Sequence, residues 1–272
     1  NFTDLYTRVE YNDDTESSEV SGVTSVAAAI LGDLHYGQHD PRVISKTLDL
    51  FKKLHPENVI LHDVFDGLSI NHHEINDPFI QYHREQDGSN SLRKEVDAML
   101  TGLEDFKDFN VSIVRSNHDD FLDRWLKTTD WRKASTIKNS LEYMEYSSLL
   151  LRGVAPNGVI PYLINERFPN FRTLGRSDSL VVNGWELAQH GDVGSNGSRG
   201  SLLQFRKLNT KIVVGHYHSP GRKDGALAVG TSTKLRVNYN VGPSGWLQSH
   251  VIIHHDGKAQ HINFIKGEFT TL

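Results

Sequence analysis

The sequence predicts an α/β fold, with a helical first half and a β-rich second half built around one sandwich. Three observations lead there. Apolar runs alternate with helical patterns over the first 114 residues, as in right-handed parallel crossovers. Several of those runs end in a cluster of polar, chemistry-bearing residues. After residue 180 the helical periodicity gives way to short β-rich runs with hairpin signals.

In order, "VTSVAAAILGD" reads as a buried strand ending at Gly32-Asp33. Asp40-Pro41 is an N-cap and first turn for "PRVISKTLDLFKKL", whose apolar residues have helical spacing. "NVILHDVFDG" is the next strand. The polar loop "NHHEINDP" leads to a helix around residues 92–109, and "VSIV" is the third strand. Residues 132–152 read as a long helical stretch. Asn183-Gly184 lies between two β-rich runs, a strong hairpin signal, and Asp256-Gly257 marks a second hairpin. "KIVVGHYH" and "GALAVG" are strands between them. The expected organisation is an acidic segment over residues 1–20 followed by a single domain over 21–272.

Composition narrows the class. Of 272 residues 37% are apolar and 23% charged, ordinary for a globular protein with a substantial core. No apolar run is long enough to span a bilayer, and the opening residues do not form a signal peptide. The chain lacks an initiator Met, which reads as a processed chain or an excised domain. Cysteine is absent, which excludes disulfides, thiolate ligands and cysteine nucleophiles. A cytoplasmic location without membrane contact is the expectation. The net charge of −5 argues against a uniformly basic nucleic-acid binder. Residues 161–240, however, hold eleven Lys/Arg against five Asp/Glu, a balance of +6. That basicity reads equally as a phosphate-steering surface or as an incidental basic face.

The chemistry-bearing clusters are "GDLH" (Asp33, His35), "HDVFD" (Asp63, Asp66), "SNHD" (Asn117, His118, Asp119), "QHGD" (His190, Asp192) and "GHYH" (His216, His218). Members of the pairs Asp33/His35 and His216/His218 stand two apart, so an extended strand end would aim both the same way. Any one cluster alone is weak, since "NHD" also suits a turn. Asp66 and Asp192 read as loop caps. Five clusters at the ends of successive strands form a joint signal. Two pairs, a carboxylate, an Asn carbonyl and a further His give seven O/N ligands, a number that suits two cations in phosphoryl chemistry.

The order D-x-H, G-D-x-x-D, G-N-H-D/E, H, G-H-x-H resembles the calcineurin-like metallophosphoesterase superfamily over Asp33 to His218, about two thirds of the chain. The resemblance implies a four-layer α/β/β/α sandwich of two facing mixed sheets, with the metal site at strand C-terminal ends. It implies one metal on Asp33, His35, Asp63 and His218, and another on Asp63, Asn117, His190 and His216. His118 takes the position that contacts the scissile phosphate and helps protonate the leaving group, and Asp119 is a candidate to orient it. There are departures. His62 and Ser116 stand where the family has glycine, Gly67 follows Asp66 in place of an Arg, and Asp119 replaces a Glu. The last two argue against a phosphoprotein phosphatase. His62 reads either as an added site residue or as a structural histidine.

Two divalent cations are therefore expected, Mn in preference to Fe or Zn. The favoured activity is hydrolysis of nucleic-acid phosphodiesters, that of a DNase. "HDVFDG" resembles the "GDVFD" segment of SbcD-like exonucleases, and the chain has the look of phage-encoded DNases. Arg199, Arg222 and Lys223 are the expected substrate-binding residues near the metals, with Arg206 and Lys207 beside them. Trp125, Trp131 and Trp246 are alternative base-stacking residues, with a core role preferred for each. The competing activity is that of a phosphatase or phosphodiesterase on small nucleotides or other small phosphate esters. A scaffold that lost its chemistry is the third reading. The sequence does not fix the oligomeric state.

Overall fold

A computed structural model describes residues 25–132, 137–237, 240 and 242–270. The acidic segment over residues 1–20 lies outside them. The described elements run β1 (Ala28–Ile30), α1 (Pro41–Leu54), β2 (Val59–His62), α2 (Pro78–Asp87), α3 (Leu92–Leu103), β3 (Val111–Val114), α4 (Asn117–Thr128), α5 (Ser140–Leu151), α6 (Val159–Arg167) and β4 (Arg172–Leu174). There follow β5 (Val181–Val182), β6 (Trp185–Glu186), α7 (Leu202–Phe205), β7 (Lys211–Val214), β8 (Gly221–Lys223), β9 (Ala226–Ala228), β10 (Ser249–Ile253), β11 (Ala259–Ile265) and β12 (Glu268–Thr270). The fold is mixed α/β with two mixed sheets. One has seven strands in the order β12-β11-β10-β1-β2-β3-β4, the other five in the order β5-β6-β7-β9-β8.

Local chemistry accounts for the element ends. The Asp40 carboxylate accepts the Arg42 N–H, Pro41 opens α1, and Lys52 and Lys53 close it. Asp77 and Pro78 do the same for α2. That helix starts at the last residue of the expected polar loop and fills a stretch before α3 where no element is expected. It buries only Arg84, so it shows almost no apolar stripe to the sequence. The Asn183-Gly184 hairpin is present, both residues with positive φ, as a type I′ turn requires. Within the expected strand over 23–33, the described residues 25–33 are regular at Ala28–Ile30.

Strands β1 to β4 run parallel, and so do β6, β7 and β9. Side chains of β2 alternate between two apolar clusters. Val59 and Leu61 join one with Phe51 of α1, Met99 of α3, Leu122 of α4 and Tyr146 of α5. Ile60 joins the other with Ile30, Val114, Leu187, Val213 and Val229, drawn from both sheets and the segments that extend them. No helix among the described residues is long and apolar enough to cross a membrane.

Candidate metal centre

Each chemistry-bearing cluster directly follows one of the parallel strands β1, β2, β3, β6 or β7. The loops after β1, β2 and β7 bring Asp33, His35, Asp63 and His218 together, all buried, with one ligand atom each within 4.8 Å of the others. His35 Nε2 lies 3.2 Å from Asp63 Oδ2 and 3.1 Å from His218 Nε2. His218 Nε2 is 3.1 Å from Asp33 Oδ2. The loop after β6 adds His190, whose Nε2 is 3.4 Å from Asp63 Oδ2.

The two-apart pairs do not converge by extended geometry. His35, Asp63, His216 and His218 have φ of 42°, 50°, 73° and 55°, four of the nine described non-glycine residues at positive φ. Such backbone costs on the order of 1–3 kcal/mol per residue and persists where the surroundings enforce it. Here the backbone kinks as each strand ends. His216 thereby turns its N–H onto Asp33 Oδ2 at 2.7 Å, leaving its ring half-buried and 5.4 Å from that of His190. Gly215 makes room for this packing. A Cβ there would lie 2.4 Å from Asp33 Oδ1, 3.0 Å from His62 Cγ and 3.1 Å from His190 Nδ1.

The donor set fits a metal ion. Asp33 Oδ1, Asp63 Oδ1, Asn117 Oδ1 and His218 Nδ1 are buried without a hydrogen-bond partner, which is costly for polar groups unless something else engages them. Burial alone would push the Asp33 and Asp63 carboxyls up. The histidines around them outweigh it, His218 holding Asp33 at about 2 and His118 and His35 keeping Asp63 well below its ordinary value. Both offer charged oxygens. The histidines and carboxylates could hold a metal ion, with nothing in the donors to fix which.

His118, in the first turn of α4, has its Nδ1 2.5 Å from the backbone oxygen of Asp66 and 3.8 Å from Asp66 Oδ1. Asp66 Oδ1 also meets His35 Nδ1 at 3.1 Å. Asp66 is therefore part of the cluster and not merely a loop cap, a role its place three residues after Asp63 could have signalled. The Asp119 carboxylate is engaged at the start of α4. It accepts the Ser116 N–H at 2.9 Å while the Ser116 hydroxyl accepts the Asp119 N–H at 3.1 Å, a capping box. Ser116 has an ordinary φ of −109°, so no glycine is needed there.

The expected substrate-binding residues separate. Arg199 is exposed on the loop that follows His190. Arg222 and Lys223 lie elsewhere, because β8 runs antiparallel to β9 and away from the site end of the sheet. Arg222 donates to the Ala259 carbonyl, level with Ile253 and hence with the start of β1. Arg206 pairs with Asp224. Two arginines outside the expected binding set stand closer. Arg176 bridges Asp120 and Asp192, and Arg115 bridges Asp120 and Asp123. With His190 they line a cavity of about 450 Å³. Asp192 is thus an ion-pair partner as well as a loop residue. Arg124 is exposed on α4, with Nη1 3.3 Å from His72 Nε2. The His72 ring packs on Phe121, which packs on His118. Trp125 is buried against Tyr143, and Trp246 packs edge-on to His218.

No family model matches the chain. The sequence is similar to Protein A1 of Escherichia phage T5, 30% identical over 256 residues, an alignment covering 88% of this chain and 45% of that protein. The chain spans about half the length of this curated relative. One solved crystal structure aligns with 88% of this chain and 98% of its own, at a TM-score of 0.44 and 9% identity.

Proposed function

We propose that the chain is a phosphoesterase of the calcineurin-like metallophosphoesterase kind, acting with two divalent cations on nucleic-acid phosphodiesters, DNA above all. The observation that carries this reading is the burial of Asp33, His35, Asp63 and His218 within one ligand sphere, from three loops that each follow a parallel strand. The apolar cluster shared between the sheets supports facing layers with helices outside, the four-layer arrangement that the sequence resemblance implies.

In this reading Asp33, His35, Asp63 and His218 hold one cation. Asp63, Asn117, His190 and His216 hold the other. When bound, such ions lower the pKa of water and offset the charge on phosphoryl oxygens. His118 supplies the proton for the leaving oxygen. Its Nδ1 faces a carbonyl, which only accepts, so Nδ1 carries a hydrogen and Nε2 is the nitrogen turned to substrate. Donation from Nε2 requires the imidazolium; burial disfavours it and holds the ring below its ordinary pKa, against the pull of the Asp63 and Asp66 carboxylates. Phe121 and the side of α4 fix the ring plane.

The exposed pair Arg124 and His72 beside His118 supports an extended polyanionic substrate. The cavity lined by Arg115 and Arg176 favours the second reading, a small phosphate ester. A Mn-supplemented panel decides between them: linear duplex DNA, single strands, RNA, bis-p-nitrophenyl phosphate and p-nitrophenyl phosphate. Cleavage of DNA and of the diester is expected. Hydrolysis of the monoester alone would discard the nuclease, and no hydrolysis of any would discard the enzyme.

A further inference from the structure

His62 ends β2 at the position where the sequence resemblance expects glycine, and it is fully buried. Strand alternation puts it on the same side as Ile60, at the site end of the cluster shared by the two sheets. An aliphatic side chain would satisfy that position by packing alone. A buried imidazole costs free energy unless its nitrogens are engaged. Its Nδ1 is 3.4 Å from Nδ1 of His190, with the rings tilted by 32°. The other nitrogen of His190 points the opposite way, to Asp63.

From this geometry we propose that His62 is a positioning residue for the metal centre, the acceptor that fixes His190 in its ligand tautomer. The inference rests on the two-cation reading above and names the group that orients one of its ligands. A neutral imidazole that ligates through one nitrogen carries its hydrogen on the other, and that N–H needs a partner. For His190 the ligating atom is Nε2, beside Asp63, so Nδ1 bears the hydrogen. Among the described residues the hydrogen-bond partner of that nitrogen is Nδ1 of His62. His62 must then present a lone pair at Nδ1 and keep its own hydrogen on Nε2, a nitrogen that has no hydrogen-bond partner among the described residues, so Nδ1 is the engaged one. The opposite arrangement, with His62 donating, would place the hydrogen of His190 on Nε2 and remove it as a ligand. Gly215 permits the contact, since a Cβ there would touch both rings.

The test separates acceptor from filler. His62→Leu keeps an apolar volume and removes the acceptor, whereas His62→Asn keeps an oxygen near the place of Nδ1. Calorimetric titration of the 272-residue chain and each variant of it with Mn²⁺ or Zn²⁺ is expected to show two ions on the wild type. For His62→Leu one of the two should weaken by roughly 10–100-fold, the usual cost of losing such a partner. His62→Asn should restore it. Nitrogen-15 spectra of the Zn²⁺-loaded wild type should show His190 protonated at Nδ1, a readout that needs no variant to fold. Wild-type affinity at both ions in His62→Leu, or a hydrogen on Nε2 of His190 in the loaded protein, would overturn the inference while leaving the metal reading intact. Fewer than two ions on a folded wild type would overturn the metal reading itself, and this inference with it.

Discussion

Asp63 Oδ2 lies 3.4 Å from Nε2 of His190, joining the loop after β2 of the seven-stranded sheet to the loop after β6 of the five-stranded one. The same oxygen is 3.2 Å from His35. Asp63 is thus the carboxylate common to both proposed ligand sets, and Asp63→Asn should lower bound metal at both positions and abolish hydrolysis. Metal analysis of the purified variant checks it. Two ions retained with near-normal turnover would remove Asp63 from the bridge.

His118→Ala should leave the fold and most metal binding intact and slow turnover by roughly 10²–10⁴-fold, the range for a general acid. Esters with good leaving groups need little protonation and should lose less. Asp66→Asn should act in the same direction and more weakly, because the change removes the carboxylate charge 3.8 Å from Nδ1 that favours the imidazolium while keeping the backbone carbonyl that accepts from it. Asp119→Asn should instead weaken the capping box and lower stability modestly, with turnover nearly unchanged. Equal rate losses for Asp119→Asn and His118→Ala would make Asp119 the orienting group.

Glu95 of α3 accepts the Ser69 N–H at 3.0 Å and the Ser69 hydroxyl at 2.6 Å, tying down the segment that follows Asp66. Burial outweighs these bonds and, with Asp66 nearby, pushes the carboxyl up to about 8 from an ordinary 4.5. Between those values the folded chain holds a proton that the unfolded chain has released. Stability should therefore fall as pH rises across that window and level off above it. Urea midpoints between pH 5 and 8 should decline less steeply for Glu95→Gln than for the wild type. Parallel slopes would mean Glu95 ionises normally in the fold.

The candidate ligands were legible because each ends an apolar run, and strand ends are where parallel sheets collect sites. The means of their convergence was not. The two-apart spacing suggested extended backbone, while the left-handed turns at His35, His216 and His218 depend on tertiary contacts that no local pattern encodes. Helix α2 was hidden because its one buried residue is an arginine. The basic balance over residues 161–240 did not separate near residues from far ones, since Arg176 lines the cavity beside His190 while Arg222 does not. Charge counted along the chain ignores direction, and β8 carries Arg222 and Lys223 away from the site while α4 brings in Arg124.

That difference in direction gives the test of the nucleic-acid reading. Arg124 is six residues beyond His118 on α4, about 9 Å along the axis at ~1.5 Å per residue. A chain with its scissile phosphate at His118 could therefore bring a neighbouring phosphate under Arg124 and His72. Arg222 and Lys223, toward the other end of the sheets, have no such access. Each phosphate contact contributes ~0.7–0.9 to the log–log slope of binding against salt. Arg124→Ala should thus lower that slope by about one contact for DNA, weaken DNA cleavage at moderate salt and spare bis-p-nitrophenyl phosphate, which has no neighbouring phosphate. The double change Arg222→Ala, Lys223→Ala should leave both slope and cleavage unchanged. A slope altered by the double change and not by Arg124→Ala would move the nucleic-acid path to the β8 edge. Robust diester cleavage with no DNA cleavage at low salt would discard the path altogether and leave the small-ester reading.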